Sequence, residues 1–291
     1  MSDKILRLGI PAGSLQKATI ALFGKAGFHI SDSERSYLPK IDDDEIRLTC
    51  LRAQEMSRYV ADGVLDAGIT GYDWIVENGS DVVEVCELAY SKRTSNPARW
   101  VLAVPDESKV SKPEDLAGGI IASELVNGTK KYFEEKGIDV QVEFSWGATE
   151  VKARLVDGIV DVTETGRSLR ANDLRIIDTV IISTTRFIAN KEAWADDFKR
   201  EKIENITMLL LAAIESASKV GLKLNVEKDN LDNVLALLPA EKSPTVSSLA
   251  DSDFVAIEVI IEDRIERSVV PALKRAGASG IITYPLNKVI H

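Results

Sequence analysis

The segment Ile159-Val160-Asp161-Val162-Thr163-Glu164-Thr165-Gly166-Arg167-Ser168-Leu169 has the make-up of a phosphate cradle. An apolar strand meets an acidic residue, then a Thr-Gly turn, then a hydroxyl at the start of a helical stretch. Gly166 admits a ligand close to the backbone, successive N–H groups form an anion nest, and the Thr165 and Ser168 hydroxyls can donate. Arg167 or Arg170 adds charge, and Asp161 or Glu164 stands where acidic residues near phosphate loops bind ribose hydroxyls. An ordinary strand–turn–helix junction with Ser168 as its N-cap has the same make-up. On the turn alone that is the commoner reading.

Two further clusters carry chemistry. Arg52 ends a strand, and Lys92, Arg93 and Arg99 surround a crossing between lobes. Polyphosphates are held by such side chains, arginine above all, because its contacts are bidentate. Gly71-Tyr72-Asp73 and Ser145-Trp146-Gly147-Ala148-Thr149-Glu150 each put a carboxylate at a strand–helix junction. Such carboxylates hold Mg²⁺ through water, accept from a nucleobase amino group, or cap a helix.

Other chemistry is excluded by what the chain lacks. Its 291 residues include two histidines, His29 and His291. That disfavours a Ser–His–Asp triad, a Cys–His pair and a histidine zinc site. The net charge of −10 argues against nucleic-acid binding, yet leaves room for a local arginine cluster facing a small anion. Cys50 and Cys86 have no motif spacing and read as reduced core residues. The N-terminus lacks the pattern of a secretion signal. The longest apolar run, Met208–Ile214, is far short of the roughly 18 residues that span a membrane. These features point to a cytoplasmic protein.

The elements that position these residues follow a βα alternation. Ile5–Ile10 is a strand leading through Pro11-Ala12-Gly13-Ser14 into a helix, with Ser14 as N-cap and Gly27 as stop. Ile46–Leu51, Gln54–Asp62 and Leu65–Thr70 read as strand, helix and strand. The alternation restarts with Trp100–Val104, Ile120–Ala122, Thr129–Lys136, Val140–Phe144, Thr149–Val156, Ile159–Val162 and Ile176–Ile182. A restart means two lobes facing across a cleft, with ligands at the C-terminal strand ends. Thr184–Asn190 returns to the first lobe, and Lys191–Ser218 is helical. Val220–Val226, Leu231–Leu238, Thr245–Leu249, Phe254–Ile261, Glu262–Ala276 (kinked at Pro271) and Gly280–Tyr284 have the ferredoxin-like βαββαβ order. The expected division is 1–95 with 184–217 as lobe I, 96–183 as lobe II, and 218–291 as a separate regulatory domain.

With these pieces in order the chain resembles the long form of the ATP phosphoribosyltransferase family. The resemblance runs nearly end to end. It rests on Leu51-Arg52, Asp66 through Trp74, Trp146 through Val151, Val162 through Asn172, Asn225, Leu238-Pro239, Ser243-Pro244-Thr245 and Gly277 through Ile281. It implies transfer of 5-phosphoribosyl from 5-phosphoribosyl 1-diphosphate (PRPP) to N1 of ATP, the first step of histidine biosynthesis. It also implies a catalytic part like type II periplasmic binding proteins, Mg²⁺, inhibition by histidine at the C-terminal domain, and homo-oligomers (dimers and hexamers). Residues Asp161, Glu164, Thr165, Gly166, Arg167 and Ser168 would hold PRPP. Gly13, Arg52, Gly71, Asp73 and Arg99 would lie near ATP and diphosphate, with Glu150 as an electrostatic or metal-linked carboxylate. Asn225, Thr245 and Gly280 match histidine contacts. No dedicated set of metal ligands stands out. The family's first turn often reads Lys-Gly-Arg, whereas this chain has Ala12-Gly13-Ser14, so cations such as Lys17 or Lys92 must substitute there.

Two rival readings stay open on the sequence alone. Thr184-Thr185-Arg186-Phe187 contains the Thr-Arg-Phe of prephenate dehydratases, which share the architecture. The lobes alone also suit a non-enzymatic binding protein.

Overall fold

A computed structural model describes residues 4–31, 37–90, 97–239, 243–250 and 253–290. Two compact units make up the chain: Met1–Gly24 with Phe28–Thr207, and Lys25–Gly27 with Met208–His291.

Among the described residues the larger unit holds two five-stranded sheets and a two-stranded hairpin. Lobe I begins with β1 (Leu6–Ala12), α1 (Gln16–Ala26) and a short hairpin of β2 (Ile30–Ser31) and β3 (Lys40–Ile41). It continues through β4 (Ile46–Arg52), α2 (Ala53–Ala61), β5 (Ala67–Gly71), α3 (Tyr72–Asn78) and β6 (Val83–Leu88). Lobe II comprises β7 (Ala98–Pro105), β8 (Ile120–Ser123), α4 (Val126–Glu135), β9 (Gln141–Phe144), α5 (Thr149–Lys152), β10 (Gly158–Thr163), α6 (Arg167–Ala171) and β11 (Leu174–Ser183). The chain returns to lobe I as β12 (Thr185–Ala189) and continues into α7 (Lys191–Ala195) and α8 (Asp197–Glu215). Strand orders are β4-β1-β5-β12-β6 and β11-β7-β10-β8-β9. In each sheet one antiparallel strand, β12 or β7, is inserted beside parallel neighbours. This two-crossing arrangement is that of the type II periplasmic binding proteins.

Packing explains why the strand ends line up. Beyond Arg7 near its start, β1 is apolar on both faces, and the interior strand β5 is buried along nearly all its length, as central parallel strands are. Met56 and Val60, one helical turn apart on α2, face them. Helix and sheet approach so closely that a Cβ at Gly9 or Gly68 would lie 2.3 or 2.7 Å from Met56 Sδ. Glycine is required at both positions. At the opposite strand end the buried Asp66 accepts from Arg7 N (2.8 Å), Arg7 Nη2 (2.6 Å) and Lys199 Nζ (2.9 Å). That carboxylate ties β1, the start of β5 and α8 together. Lobe II packs around Trp100, Leu102, Ile121, Phe133 and Val160.

The smaller unit contains β13 (Lys219–Glu227), α9 (Leu231–Leu235), β14 (Thr245–Ser248), β15 (Phe254–Glu262), α10 (Asp263–Arg275) and β16 (Ser279–Pro285). Its order, β14-β15-β13-β16, with antiparallel pairing throughout, is ferredoxin-like. Leu222, Leu224, Val226, Ile257, Ile261 and Leu273 form its core.

Several local expectations change. Ser14 does not cap α1: a 3-10 turn, Gly13–Leu15, precedes the helix and begins after Ala12. Ser168 does not cap α6 either, because that position is Gly166, and Ser168 is the second helical residue. The helix expected over Thr149–Val156 is only Thr149–Lys152, since Asp157 and Gly158 already begin the next strand connection. Helix α10 continues through Pro271. Strand β6 and the β2–β3 hairpin had no clear alternation to announce them.

Candidate active site

Parallel strands end on one edge, so β1, β4 and β5 deliver their last residues to one place. Ala12 is paired in register with Arg52, and Gly71 ends the neighbouring strand. Here a cavity of about 420 Å³ opens between the lobes, within the usual size range for ligand pockets. Ala12, Ser14, Arg52, Gly71, Asp73 and Tyr90 line it from lobe I; Ser183 and Thr184 come from the crossing, and Glu164 from lobe II. Gly13 turns with φ +80°, and the Arg52 guanidinium lies 3.7 Å from where a Gly13 Cβ would sit. A cation absent from the first turn itself is thus present beside it, supplied by β4.

Asp73 is 7% exposed. Its carboxylate accepts from Trp100 Nε1 at 2.7 Å and from Ser183 Oγ at 2.8 Å, while its own N–H donates to Ser183 Oγ at 3.1 Å. Burial raises its pKa, and these donors oppose the rise. The carboxylate curls back over Gly71, where a Cβ would stand 2.1 Å from Asp73 Oδ1. Asp73 therefore lines the cavity as a side chain already bonded to lobe II.

The 163–168 turn is built by its own side chains. Thr163 Oγ1 accepts from Gly166 N at 2.7 Å. Gly166, at φ +69°, starts α6 from a left-handed conformation, which glycine adopts without steric cost. Arg170 Nη2 donates to the Thr165 carbonyl at 2.9 Å, which commits that guanidinium to shaping the turn. The Ser168 hydroxyl donates to the Glu150 carboxylate. Thr165, Arg167 and Ser168 are exposed. Arg99 is paired in register with Thr163, which puts it on lobe II beside the turn.

Carboxylates crowd this end of lobe II. Asp161 is pushed up to about 6, first by burial and then by the charges of Glu150 and Glu124. Glu150 follows a strained corner in which Ala148, a non-glycine residue, has φ +49°. Among the described residues no group of three or more His, Cys, Asp or Glu is gathered as a metal cage.

Arg52, Gly71, Asp73 and Glu164 meet around the cavity, with Gly13 at its edge. Asp161, Glu150, Arg99 and the turn gather on lobe II. Lys17 is exposed on α1; Lys92 and Arg93 lie outside the described residues. Trp100, Ser183, Thr184 and Tyr90 escaped sequence reasoning. The partners of Asp73 are 27 and 110 residues away, so no local pattern signals them. Tyr90 is held by Thr19 at 2.6 Å, and burial pushes its hydroxyl up to about 12. In the smaller unit Asn225 is paired with Ala256 and Ser279, Thr245 with Glu258, and the Asn225 amide lies 3.3 Å from a Cβ position on Gly280. Asn225 and Thr245 share the sheet face opposite the apolar core.

Comparison with known proteins supplies the class. A model described as "ATP phosphoribosyltransferase" matches residues 52–212, and one described as "HisG, C-terminal domain" matches 217–288. A protein from Prosthecochloris aestuarii called ATP phosphoribosyltransferase is 56% identical over 290 residues, covering 99% of each chain. One of the same name from Chlorobium chlorochromatii is 55% identical over 289 residues, 99% of this chain and 98% of that protein. Among solved structures, an "ATP phosphoribosyl transferase (HisG:HisZ) complex from Thermotoga maritima" aligns with a TM-score of 0.62 at 30% identity, covering 72% of this chain and 99% of that one. Fold and relatives together define a pentosyltransferase. The chain belongs to the ATP phosphoribosyltransferase family, in its long form, and its reaction is the first step of histidine biosynthesis. The prephenate dehydratase and pure-binder readings fall away. Of the Thr-Arg-Phe string, Arg186 is ion-paired with Glu84 and Glu87, and Phe187 is core.

Proposed function

We propose that the two substrates are divided between the lobes. PRPP is held on lobe II, its ribose hydroxyls facing Asp161 and Glu164 and its 5-phosphate on Thr165 through Ser168. ATP lies against lobe I, along Gly13, Arg52, Gly71 and the Asp73 wall, with Arg99 toward the diphosphate. One observation carries this reading: the inter-lobe cavity has Arg52, Gly71 and Asp73 on one side and Glu164 of the turn on the other.

The chemistry fits those residues. ATP N1 already carries a lone pair, so its bond to ribose C1 forms without an obligatory general base while the C1–O bond to diphosphate breaks. Orientation and electrostatic stabilisation of the leaving group then lower most of the barrier. The class needs a divalent metal, and we assign it as Mg²⁺. Asp161 and Glu150 beside the turn would help to hold it, and it would supply charge neutralisation to the leaving diphosphate. Asp161 is raised first by burial and then by the charges of Glu150 and Glu124, and a cation near the turn would offset both effects, which supports placing one there.

Regulation and setting complete the proposal. Histidine binds the C-terminal domain at Asn225, Thr245 and Gly280 and inhibits transfer, in a cytoplasmic homo-oligomer of dimers and hexamers. Among the described residues no helix is long and apolar enough to cross a membrane.

The deciding experiment is Gly166→Val. A side chain there must adopt φ +69° and stand 2.9 Å from the Arg170 guanidinium. PRPP binding is expected to weaken at least about tenfold while ATP binding stays within about twofold, since the strain is confined to one lobe. Equal losses for both substrates, measured by calorimetry, refute the division.

A further inference from the structure

Helix α4 of lobe II begins without a cap of its own. Its N-cap residue is Leu125, whose side chain accepts nothing, so the first N–H groups of the helix need an acceptor from elsewhere. That acceptor comes from the other lobe. Glu77 on α3 of lobe I takes hydrogen bonds from Asn127 N at 3.1 Å and from Gly128 N at 2.9 Å. In return Asn127 Nδ2 donates to the Glu77 carbonyl at 2.9 Å. A carboxylate at a helix N-terminus is also favoured by the helix dipole.

Further inter-lobe contacts are made by α3 among the described residues. Asp73 and Glu77 are four residues apart, hence neighbours on the helix surface. Asp73 holds Trp100 and Ser183, and Trp74 packs edge-on against Trp100 with ring centroids 6.1 Å apart. On its other side α3 is fastened to lobe I: Ser57 Oγ donates to the Trp74 carbonyl at 3.0 Å, and Asn78 Nδ2 to the Gln54 carbonyl at 2.8 Å. A helix bonded to both lobes along its length acts as a strut.

We propose that Glu77 is a positioning residue for the transfer reaction: by capping α4 across the lobe boundary it sets the registration of the lobes, and with it the approach of ATP N1 to the ribose carbon. The proposal rests on the division of substrates between lobes given above. It makes a prediction that a purely structural cap does not. Each substrate is gripped in the ground state by its own lobe, so loosening the strut leaves each binding constant alone. The transition state needs both lobes in register, and a misplacement of about 1 Å there can cost about a hundredfold in rate.

The test is steady-state kinetics on the full chain with Glu77→Gln and Glu77→Ala, with ATP and PRPP dissociation constants from calorimetry and a thermal melt for each protein. The expected result is a fall in kcat of about 10- to 100-fold for Glu77→Ala and a smaller one for Glu77→Gln, which keeps one acceptor oxygen. Both dissociation constants should stay within about twofold. Asn127→Ala, which removes only the return bond at the surface, decides the matter if Glu77→Ala does not fold; it should show the same kcat-only signature at reduced size. Folded variants with unchanged kcat overturn the proposal, and so does a loss of affinity that accounts for the whole effect. Failure of the substrate division is read separately, in Gly166→Val with unaltered PRPP binding.

Discussion

Gly71→Ala is the sharpest test of how the cavity wall is held. The added Cβ would stand 2.1 Å from Asp73 Oδ1. Ordinary contact begins near 3.4 Å, so that oxygen must retreat by about 1.3 Å, the difference between the two. Its hydrogen bond from Ser183 Oγ is 2.8 Å, and the Trp100 bond to the other oxygen is 2.7 Å. A shift of that size takes one or both beyond hydrogen-bonding reach. Hydrogen bonds to a charged group contribute about 1.5–3 kcal/mol each. Partial repair by side-chain rotation brings the expected destabilisation to about 3 kcal/mol, read by urea denaturation. The decisive comparison is a double-mutant cycle with Asp73→Ala. Without the carboxylate the added methyl group has nothing at 2.1 Å to strike. Gly71→Ala should then cost less than about 1 kcal/mol in that background, a coupling of about 2 kcal/mol. Full additivity would refute the contact argument. A Gly71→Ala protein as stable as the parent would refute it more directly.

Other expectations follow from the same contacts. Asp161 is raised to about 6, so its carboxylate is fully charged only above that value; Mg²⁺ binding with PRPP should tighten as pH rises through about 6, and Asp161→Asn should shrink that step in a calorimetric pH series to the part due to the PRPP phosphate, whose own second pKa is about 6. Asp66 is the opposite case, a carboxylate whose pKa is lowered by Arg7 and Lys199 against the effect of burial. Its contribution is present above the unfolded value near 4 and lost as pH falls through the folded value. Asp66→Asn should therefore cost about 2 kcal/mol at pH 7, discounted for the partial exposure of both cations, and progressively less as pH falls below the usual carboxylate range in denaturant titrations. Asn225→Ala should raise the histidine concentration needed for half-inhibition at least tenfold with kcat in the absence of histidine unchanged; an unmoved inhibition curve would remove Asn225 from the sensor.

Much of this was legible in the order of residues because it is local. The βα restart revealed two lobes, and the βαββαβ order revealed the terminal domain. The Thr-Gly turn marked Gly166 as a place of close backbone approach, and its left-handed φ of +69° is a further reason for glycine there. Caps were misread for a physical reason: Ser14 and Ser168 are good capping residues, but a 3-10 turn and a left-handed glycine take over the first positions. The function of Asp73 was harder to see. Its sequence context suggests a ligand carboxylate at a strand end, while its donors come from β7 and β11. Pairing over 110 residues leaves no periodicity to find. Glu77 and Leu125 pose the same problem, since an uncapped helix start is visible locally and its remote cap is not.

These distant contacts bear on what the enzyme has to accomplish. A reaction without an obligatory proton transfer has little need of a histidine, and here the described histidine, His29, is exposed and paired with Asp42 far from any catalytic demand. What such a reaction cannot do without is alignment of a nucleophile on one surface with an electrophile on another. A freely hinged pair of lobes would have to lose that orientational entropy at every turnover. In this chain the carboxylates at the lobe boundary are engaged by protein donors: Asp73 by Trp100 and Ser183, and Glu77 by the start of α4. Asp73, which sequence alone would enlist as a ligand, is bonded to lobe II, and on the proposed division of substrates Asp73 and Glu77 together hold the two substrate surfaces in register. Lobe registration, rather than acid–base chemistry, is therefore where substitutions remote from the substrates should slow the reaction most.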